Sequence, residues 1–288
     1  MKSLIIFMAV FSMLFLRENK RHTTYFTDAT DLDMMEIESK MSVAFFIRPF
    51  GNDEKDKETK MKLLNAQKVA TQLFEAVEKS NLIVAGKSEA QLNEEISKLA
   101  TEKFNIQKHW HKKIVRSGKN TMSIYNDNPP DRIIQEDDMV FVDYGIVANG
   151  WESDFAKTYV VGNNAKKIKL KNDVEKAWRE TQEWYLRQTK LKASDFFKFI
   201  TEKAKQYGYT YGGEIAGHIV GEFPHEQPVD PKSHDLDIHP DNPYDMFRLD
   251  PYGNKRFWIL EMHFVDKENQ VGAYVEKLLD YAVSDQNK

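Results

Sequence analysis

The stretch from Met139 to Gly162 constrains the fold more than any other part of the sequence. Two apolar runs rich in β-forming residues flank an Asn149-Gly150 pair, which is the strongest short-range signal for a two-residue hairpin turn. Each run holds one acid where an apolar residue is expected, Asp143 in the first and Asp154 in the second. The sequence therefore predicts a β-hairpin that carries two carboxylates.

This turn also predicts which residues face each other. A two-residue turn at Asn149-Gly150 places Asp143 opposite Ala156 and Asp154 opposite Gly145. The two carboxylates are then diagonal neighbours on one face of the ribbon, close enough to reach one ion. Unpaired carboxylates on a half-buried sheet face are costly, so we expect a positive charge between them, with a metal ion as the first candidate.

A second pair of acids lies near the C-terminal end of the chain. Glu261 stands in the apolar run FWILEMHFVD and Glu276 in VGAYVEKLLD, with Glu268 and Asn269 midway between them. A turn centred on that midpoint puts the two glutamates directly opposite each other, with Cβ atoms about 5 Å apart.

A glycine-punctuated segment between the hairpins, Gly217 to Glu226, adds His218 and His225. Four carboxylates and an imidazole suit Mn²⁺, Fe²⁺, Co²⁺ or Zn²⁺ better than Ca²⁺ or Cu⁺. Two ions about 3.5–4 Å apart, bridged by carboxylates, use four acids more economically than one ion does. A single acid in a strand is more often an exposed edge residue or an ion-pair partner. The coincidence of two matched pairs favours a metal site instead.

Composition excludes several other classes of function. The chain has 288 residues, of which 41% are hydrophobic, and its formal net charge is −4, so no basic footprint for nucleic acid is present. The absence of cysteine excludes disulfides, zinc–thiolate sites and thiol catalysis.

Residues 1–59 are set apart as an N-terminal segment with a signal-like apolar run and a linker. The charged stretch from Asn52 to Lys62 is typical of a solvated linker or of the start of a helix. The run from Leu4 to Leu16 is shorter than the ~20 residues of a membrane span, and no small-residue cleavage site follows it. A targeting segment and an overextended translation start both remain open. We expect a cytoplasmic protein without a membrane partner, unless this run makes it secreted or membrane-anchored.

The order of elements predicts an α+β domain over residues 60–288. Helical spacing of apolar residues predicts helices at 61–80, from a capping box at Ser88 to Phe104, at 166–191, and at 194–208 with Ser194 and Asp195 as its cap. Helices, hairpin, helices and hairpin then follow one another, which favours an antiparallel sheet and hints at a pseudo-repeat.

These motifs resemble those of the pita-bread metallopeptidases, the family of methionine aminopeptidase, Xaa-Pro aminopeptidase, prolidase and creatinase. The similarity runs from Lys60 to Asp280 and rests on the segments DYGIVANGWESD, HIVGEFPHE, ILEMHFV and AYVEKLL. The resemblance implies the pita-bread fold, in which a curved antiparallel sheet has helices on its outer face and a metal site on its inner face.

The resemblance also implies a role for each matched residue. Asp143 would bind one ion, Asp154 and Glu276 would bridge both, and His218 and Glu261 would bind the other. The implied cofactors are two divalent ions per chain, Mn²⁺ or Co²⁺ before Zn²⁺ or Fe²⁺. A metal-bridging water would attack the peptide bond, Glu261 would shuttle the proton, and His225 would hydrogen-bond the substrate or the oxyanion. The implied enzyme is an aminopeptidase or dipeptidase of the Xaa-Pro type with a short peptide as substrate.

The chain departs from the family pattern in three ways, two of which concern the substrate side of the site. Family peptidases carry a histidine about seventeen residues before the first Asp, where this chain has Tyr125-Asn126, so His109 or His111 is the candidate to replace it. These two histidines alternate with Trp110, and on a strand they would share one face. The usual Glu-Pro-Gly reads Glu261-Met262-His263, which makes His263 a candidate substrate contact. The large N-terminal domain of prolidases has no counterpart in residues 1–60.

Two alternatives to a peptidase remain at this stage. One is a creatinase-like hydrolase of a non-peptide C–N bond, and the other is a pita-bread module that binds peptides or proteins without catalysis. The complete set of five ligands favours catalysis. A homodimer also remains open.

Overall fold

The computed structural model describes residues 53–280, and their architecture is α+β, as the element order predicted. The helices are α1 (Asp53–Lys79), α2 (Glu89–Phe104), α3 (Ala165–Leu186) and α4 (Ala193–Gln206). The strands are β1 (Ile114–Ser117), β2 (Met139–Ala148), β3 (Trp151–Val160), β4 (Thr210–Tyr211), β5 (Ile219–Val220), β6 (Phe257–Asp266) and β7 (Val271–Leu278), and a 3-10 helix at Gly118–Met122 follows β1.

The strands form one sheet in the order β1-β2-β3-β7-β6-β4, with β5 paired to β6 beside this path. All of these pairings are antiparallel. The two long hairpins, β2–β3 and β6–β7, meet where Ala156 pairs with Glu276. The acids of the two hairpins are therefore brought together at the middle of the sheet.

The helices cover one face of this sheet and leave the other for the site. In β2, Val140, Val142, Tyr144 and Ile146 join a buried cluster with apolar residues of α1 and α2. Residues of α3 and α4 form the corresponding cluster with β6 and β7. Because side chains alternate along a strand, Asp143 points to the opposite face. Each half of the domain thus contributes two helices and one hairpin, the layout that the sequence hinted at.

The β2–β3 turn has the geometry that its sequence predicts. Asn149 and Gly150 both have positive φ angles, 53° and 83°, as the favoured two-residue hairpin turn requires. Asp143 pairs with Ala156 and Gly145 with Asp154. The predicted register of this hairpin is confirmed.

The ends of the helices were predicted less accurately than the hairpin. Ser88 caps α2 as predicted, since its side chain accepts a hydrogen bond from Gln91 N at 3.1 Å. The predicted cap of α4 at Ser194 and Asp195 is wrong, because α4 begins at Ala193 and its Lys192 N-cap makes no side-chain hydrogen bond. The backbone N–H groups of Ala193 and Ser194 donate instead to carbonyls of a distant loop, those of Tyr244 and Asn242. Helix α3 ends at Leu186, five residues earlier than predicted.

The charged stretch before residue 60 forms the first turns of a helix. Helix α1 begins at Asp53, so the helix-start alternative holds for this stretch, and the Asp56 carboxylate accepts a hydrogen bond from Lys255 N at 3.0 Å. This contact ties the start of α1 to the folded domain. The apolar run from Leu4 to Leu16 lies outside the described residues. Among residues 53–280, no helix is long and apolar enough to cross a membrane.

Candidate metal centre

Four strands place three acids in a single row across the inner face of the sheet. Asp143 in β2 pairs with Ala156 in β3, Ala156 pairs with Glu276 in β7, and Glu276 pairs with Glu261 in β6. The direct opposition of the two glutamates is confirmed. The small side chain of Ala156, at the centre of the row, leaves space between the carboxylates.

Asp154 lies beside this row, on the same face of β3 and two residues before Ala156. Its position opposite Gly145 makes it the diagonal neighbour of Asp143, as predicted. Asp143 is 4% exposed and Asp154 2% exposed, so neither charge is solvated. Oδ1 of Asp143 is buried without a hydrogen-bond partner.

His218 approaches the acids from the segment that leads into β5. Its Nε2 lies 3.3 Å from Oδ2 of Asp154, 3.6 Å from Oε1 of Glu276 and 3.9 Å from Oε1 of Glu261. Its Nδ1–H donates to the carbonyl of Ile219 at 2.9 Å. Metal-ligating histidines are usually oriented by such a bond from the second ring nitrogen.

His111 reaches the same acids from the segment before β1. Its Nε2 lies 2.9 Å from Oδ1 of Asp154 and 3.6 Å from Oδ1 of Asp143, and its Nδ1 faces the carbonyl of Lys112 at 2.7 Å. The upstream sequence segment therefore does bring one imidazole into the site.

His109 lies outside the site. Its ring packs edge-on against Tyr144, on the helix-covered face of β2, with a centroid distance of 5.4 Å. The expectation that His109 and His111 share one face is wrong, because the chain bends at Trp110 and His111 instead of continuing as a strand.

The other two predicted substrate residues, His225 and His263, differ in their surroundings. His263 lines the cavity above the acids, is 3% exposed, and is bonded through Nε2 to the carbonyl of Thr121 at 2.8 Å. Burial lowers the pKa of His263 to about 4. His225 stacks on His218 with a ring-centroid distance of 6.4 Å, and its Nδ1 lies 2.7 Å from Oε2 of Glu152.

Sequence reasoning missed three residues that organise the site. Tyr274 donates its hydroxyl hydrogen to Oε2 of Glu261, Glu152 holds His225, and Trp110 contacts the rings of His111, His218 and His225 edge-on. Tyr274 stands two residues before Glu276, and Glu152 two residues before Asp154. The two-residue period of a strand was a signal for both, whereas Trp110 depends on tertiary contacts alone.

Burial and mutual repulsion set the protonation of the carboxyls. Burial raises the pKa of Asp143 to about 8 although His111 opposes the shift, and it raises the pKa of Glu261 to about 7. Burial, with the charges of Asp154 and Glu261, raises the pKa of Glu276 well above its ordinary value. Asp154 is also buried, but His111 and His218 outweigh that effect and hold its pKa below its ordinary range.

For the two histidines of the cluster, the neighbouring carboxylates have a larger effect on the pKa than burial has. Burial lowers the pKa of His111, but the charges of Asp154 and Asp143 outweigh it and raise the pKa to about 9. Burial likewise opposes protonation of His218, whose contacts with Asp154 and Glu276 raise its pKa well above its ordinary value. The metal-free cluster therefore retains protons that a bound cation would displace.

The residues present fit divalent ions. The donor atoms form two groups, and the atoms within each group all lie within 4.8 Å of one another. One group is His111 with Asp143 and Asp154, and the other is Asp154 with His218 and Glu276. Asp154 belongs to both groups, so it stands where a bridging ligand is needed. The unpartnered Oδ1 of Asp143 supplies a buried lone pair that a cation would satisfy.

A cavity of about 650 Å³ opens above these donors. Aromatic side chains form much of its wall, and Arg116 of β1 lies in it with an exposure of 4%. Such a volume accommodates a short peptide.

Comparisons with known proteins agree with this geometry. The sequence profile of metallopeptidase family M24 matches residues 61–251. A methionine aminopeptidase of Aquifex aeolicus is 31% identical over 112 residues, which is 36% of this chain and 40% of that protein. The chain thus matches less than half the length of this curated relative.

Two solved structures share the fold. A prolidase from Thermococcus sibiricus superimposes with a TM-score of 0.62 at 23% identity, over 82% of this chain and 61% of that chain. A methionine aminopeptidase from Thermotoga maritima superimposes with a TM-score of 0.56 at 18% identity, over 77% of this chain and 96% of that chain. These similarities confirm the pita-bread fold with its curved antiparallel sheet.

Proposed function

Because this chain belongs to metallopeptidase family M24, we propose that it is a dinuclear-metal hydrolase of short peptides, an aminopeptidase or dipeptidase of the Xaa-Pro type. The observation that carries the proposal is the buried row of Asp143, Glu276 and Glu261, with Asp154 beside it. Four buried carboxylates are costly for a module that only binds peptides, whereas a hydrolase uses them to hold cations. The complete donor set therefore supports catalysis over the non-catalytic alternative.

Five residues would hold the ions. Asp143 would bind one, His218 and Glu261 the other, and Asp154 and Glu276 would bridge both, with Mn²⁺ or Co²⁺ as the first candidates. Divalent cations supply Lewis acidity there, polarising a peptide carbonyl and lowering the pKa of water.

The surrounding side chains would handle protons and position the peptide. Glu261 would transfer a proton from the attacking water to the leaving amine. Tyr274 donates a hydrogen bond to Oε2 of Glu261 at 2.8 Å and so holds this carboxylate in place. His225 hydrogen-bonds the substrate through Nε2, because its Nδ1 is held by Glu152.

The cavity wall supports a small substrate with a free carboxylate. The guanidinium of Arg116 donates to the carbonyls of Ser123 at 2.6 Å and Asp127 at 2.9 Å. Within residues 53–280 no carboxylate oxygen forms an ion pair with it. A buried guanidinium whose hydrogen bonds go to two backbone carbonyls favours a ligand that brings a carboxylate, such as the C-terminus of a dipeptide. The aromatic side chains of Phe141 and Tyr274 beside it suit the ring of a proline residue.

Metal analysis and a substrate panel test the proposal. The purified protein should bind about two Mn²⁺ or Co²⁺ per chain and cleave Xaa-Pro dipeptides more efficiently than peptides with N-terminal Met, and it should not cleave creatine. Asp154→Ala should abolish both metal binding and hydrolysis, whereas Asp241→Ala, at a side chain that is 85% exposed, should change neither. Undiminished hydrolysis by Asp154→Ala, or no hydrolysis of any peptide by the metal-loaded protein, would contradict the function.

A further inference from the structure

His111 occupies a place in the site that the five-residue ligand pattern does not include. Its side chain is 8% exposed, and its Nε2 lies 2.9 Å from Asp154 and 3.6 Å from Asp143. Two donors bound to one ion at about 2.1 Å lie roughly 3.0–3.5 Å apart, which is close to these separations. The distances from His218 Nε2 to Asp154 and Glu276, 3.3 Å and 3.6 Å, are of the same kind.

The two imidazoles are oriented in the same way. Nδ1 of His111 faces the carbonyl of Lys112 at 2.7 Å, and Nδ1 of His218 faces the carbonyl of Ile219 at 2.9 Å. A carbonyl only accepts hydrogen bonds, so Nδ1 carries the proton in both rings. In a neutral ring Nε2 then presents its lone pair to carboxylate oxygens of Asp154, an arrangement that needs a cation between them. His111 reaches Oδ1 of Asp154 and His218 reaches Oδ2.

The backbone leaves a space that fits the His111 ring. A Cβ atom at Gly145 would lie 2.0 Å from Cδ2 and 2.3 Å from Nε2 of His111, so only glycine is accommodated beneath the ring. Gly145 is also the residue opposite Asp154 in the β2–β3 register. Trp110 packs edge-on against this ring, with its ring centroid 4.6 Å from that of His111.

We infer that His111 is a sixth protein ligand, which binds the same ion as Asp143 while His218 binds the other ion. Each ion then has one imidazole, and Asp154 joins the two halves through its two oxygens. Nitrogen on both ions increases the preference for Co²⁺, Zn²⁺ or Fe²⁺ relative to Mn²⁺. The inference rests on the metal site of the proposed function but not on the peptidase reaction.

Proton NMR of the Co²⁺-loaded full chain tests this assignment directly. A histidine bound to Co²⁺ through Nε2 gives a strongly shifted, exchangeable Nδ1–H signal, so the wild-type protein should show two. His111→Gln should lose one signal and His218→Gln the other. His109→Gln, which alters an imidazole outside the site, should keep both.

Calorimetric titration of the metal-stripped proteins with Co²⁺ provides a second readout. His111→Gln should weaken the binding of one ion by at least about 10-fold and leave two ions bound at saturation. Gly145→Ala, which displaces the ring without removing it, should reproduce the loss of one shifted signal if His111→Gln fails to fold.

Three results would overturn the inference. They are a single shifted signal in the wild-type protein that only His218→Gln removes, wild-type Co²⁺ affinity in His111→Gln, and the absence of bound Co²⁺. Two shifted signals in a protein that cleaves no peptide would contradict the proposed function and support the sixth ligand.

Discussion

Tyr274 donates its hydroxyl hydrogen to Oε2 of Glu261 at 2.8 Å and lies 3.2 Å from Oε2 of Glu276. Burial raises the pKa of Tyr274 well above its ordinary value, so the phenol remains a donor throughout the physiological range. One neutral hydroxyl thus orients the two carboxylates that face each other across β6 and β7.

Replacing this hydroxyl should weaken metal binding without unfolding the protein. Tyr274→Phe keeps the ring against Phe141 and removes only the donor to the glutamates. We expect metal affinity to fall by about 10–100-fold, as for other hydrogen-bond partners of metal ligands. Calorimetric titration with Mn²⁺ measures this effect, and Tyr252→Phe, at an 88% exposed position, is the control. Unchanged affinity in Tyr274→Phe would show that the hydroxyl does not orient the ligands.

The metal-free protein should become less stable as the pH rises. The folded-state pKa of Asp143 is about 8 and that of His111 about 9, whereas the unfolded values are about 3.9 and 6.5. Between about pH 4 and 9 the folded state therefore binds more protons than the unfolded state. The free energy of unfolding then decreases with pH, by up to about 1.4 kcal/mol per pH unit for each extra proton.

Bound metal should reverse this dependence, because cations displace the protons. The increase in unfolding temperature on adding Mn²⁺ should be larger at pH 8 than at pH 5.5. Asp143→Asn removes one buried acid, so its metal-free form should be more stable than wild type at pH 8. Thermal unfolding at both pH values checks these expectations, and metal-free stability that increases from pH 5.5 to 8 would contradict the assigned protonation.

Glu152 should support hydrolysis through His225 without supporting metal binding. It is 1% exposed and accepts hydrogen bonds from the ring of His225 and from the backbone N–H groups of Gly221 and His225. We expect His225→Gln to lower kcat by about 100-fold, the scale for losing a donor to the oxyanion, with metal affinity unchanged.

Glu152→Gln alone should also lower kcat. In a protein that already carries His225→Gln it should have little further effect on kcat, because Glu152 acts through His225. A double-mutant cycle on kcat, accompanied by metal titration, measures this coupling. Additive losses in the cycle would show that Glu152 acts independently of His225.

Arg116 should distinguish substrates by their C-terminal charge. If its guanidinium binds the carboxylate of a dipeptide, Arg116→Lys should raise KM for a free dipeptide by more than about 10-fold, because lysine lacks the planar bidentate geometry. The same change should alter KM for the corresponding dipeptide amide far less. Steady-state kinetics on this substrate pair provides the measurement. Equal effects on both substrates would assign Arg116 only to holding the loop at Ser123 and Asp127.

The acid pair within each hairpin was predictable because it depends on local rules. A turn pair such as Asn149-Gly150 fixes the register, and the two-residue period of a strand then fixes which side chains share a face. Neither step needs information from elsewhere in the chain. The same rules, applied to the midpoint between Glu261 and Glu276, predicted their direct opposition.

Features that depend on contacts between distant parts of the chain were harder to predict from the sequence. The bend that separates His109 from His111 has no local glycine or proline signal, and it is recognisable only from the packing of Trp110 against three histidines. The start of α4 was placed wrongly because its first N–H groups bond to Tyr244 and Asn242, about fifty residues further along the chain.

The diagonal placement of Asp143 and Asp154 restricts how the hairpin can change length. Removing one residue from the β2–β3 turn would move Asp154 from opposite Gly145 to opposite Tyr144, which packs into the helix layer. We therefore expect relatives that keep the site to keep these two acids eleven positions apart, or to change that spacing only in steps of two. The length of the connection between β5 and β6 does not determine which face of the sheet a ligand occupies. Insertions of any length there can therefore reshape the mouth of the cavity without moving a ligand.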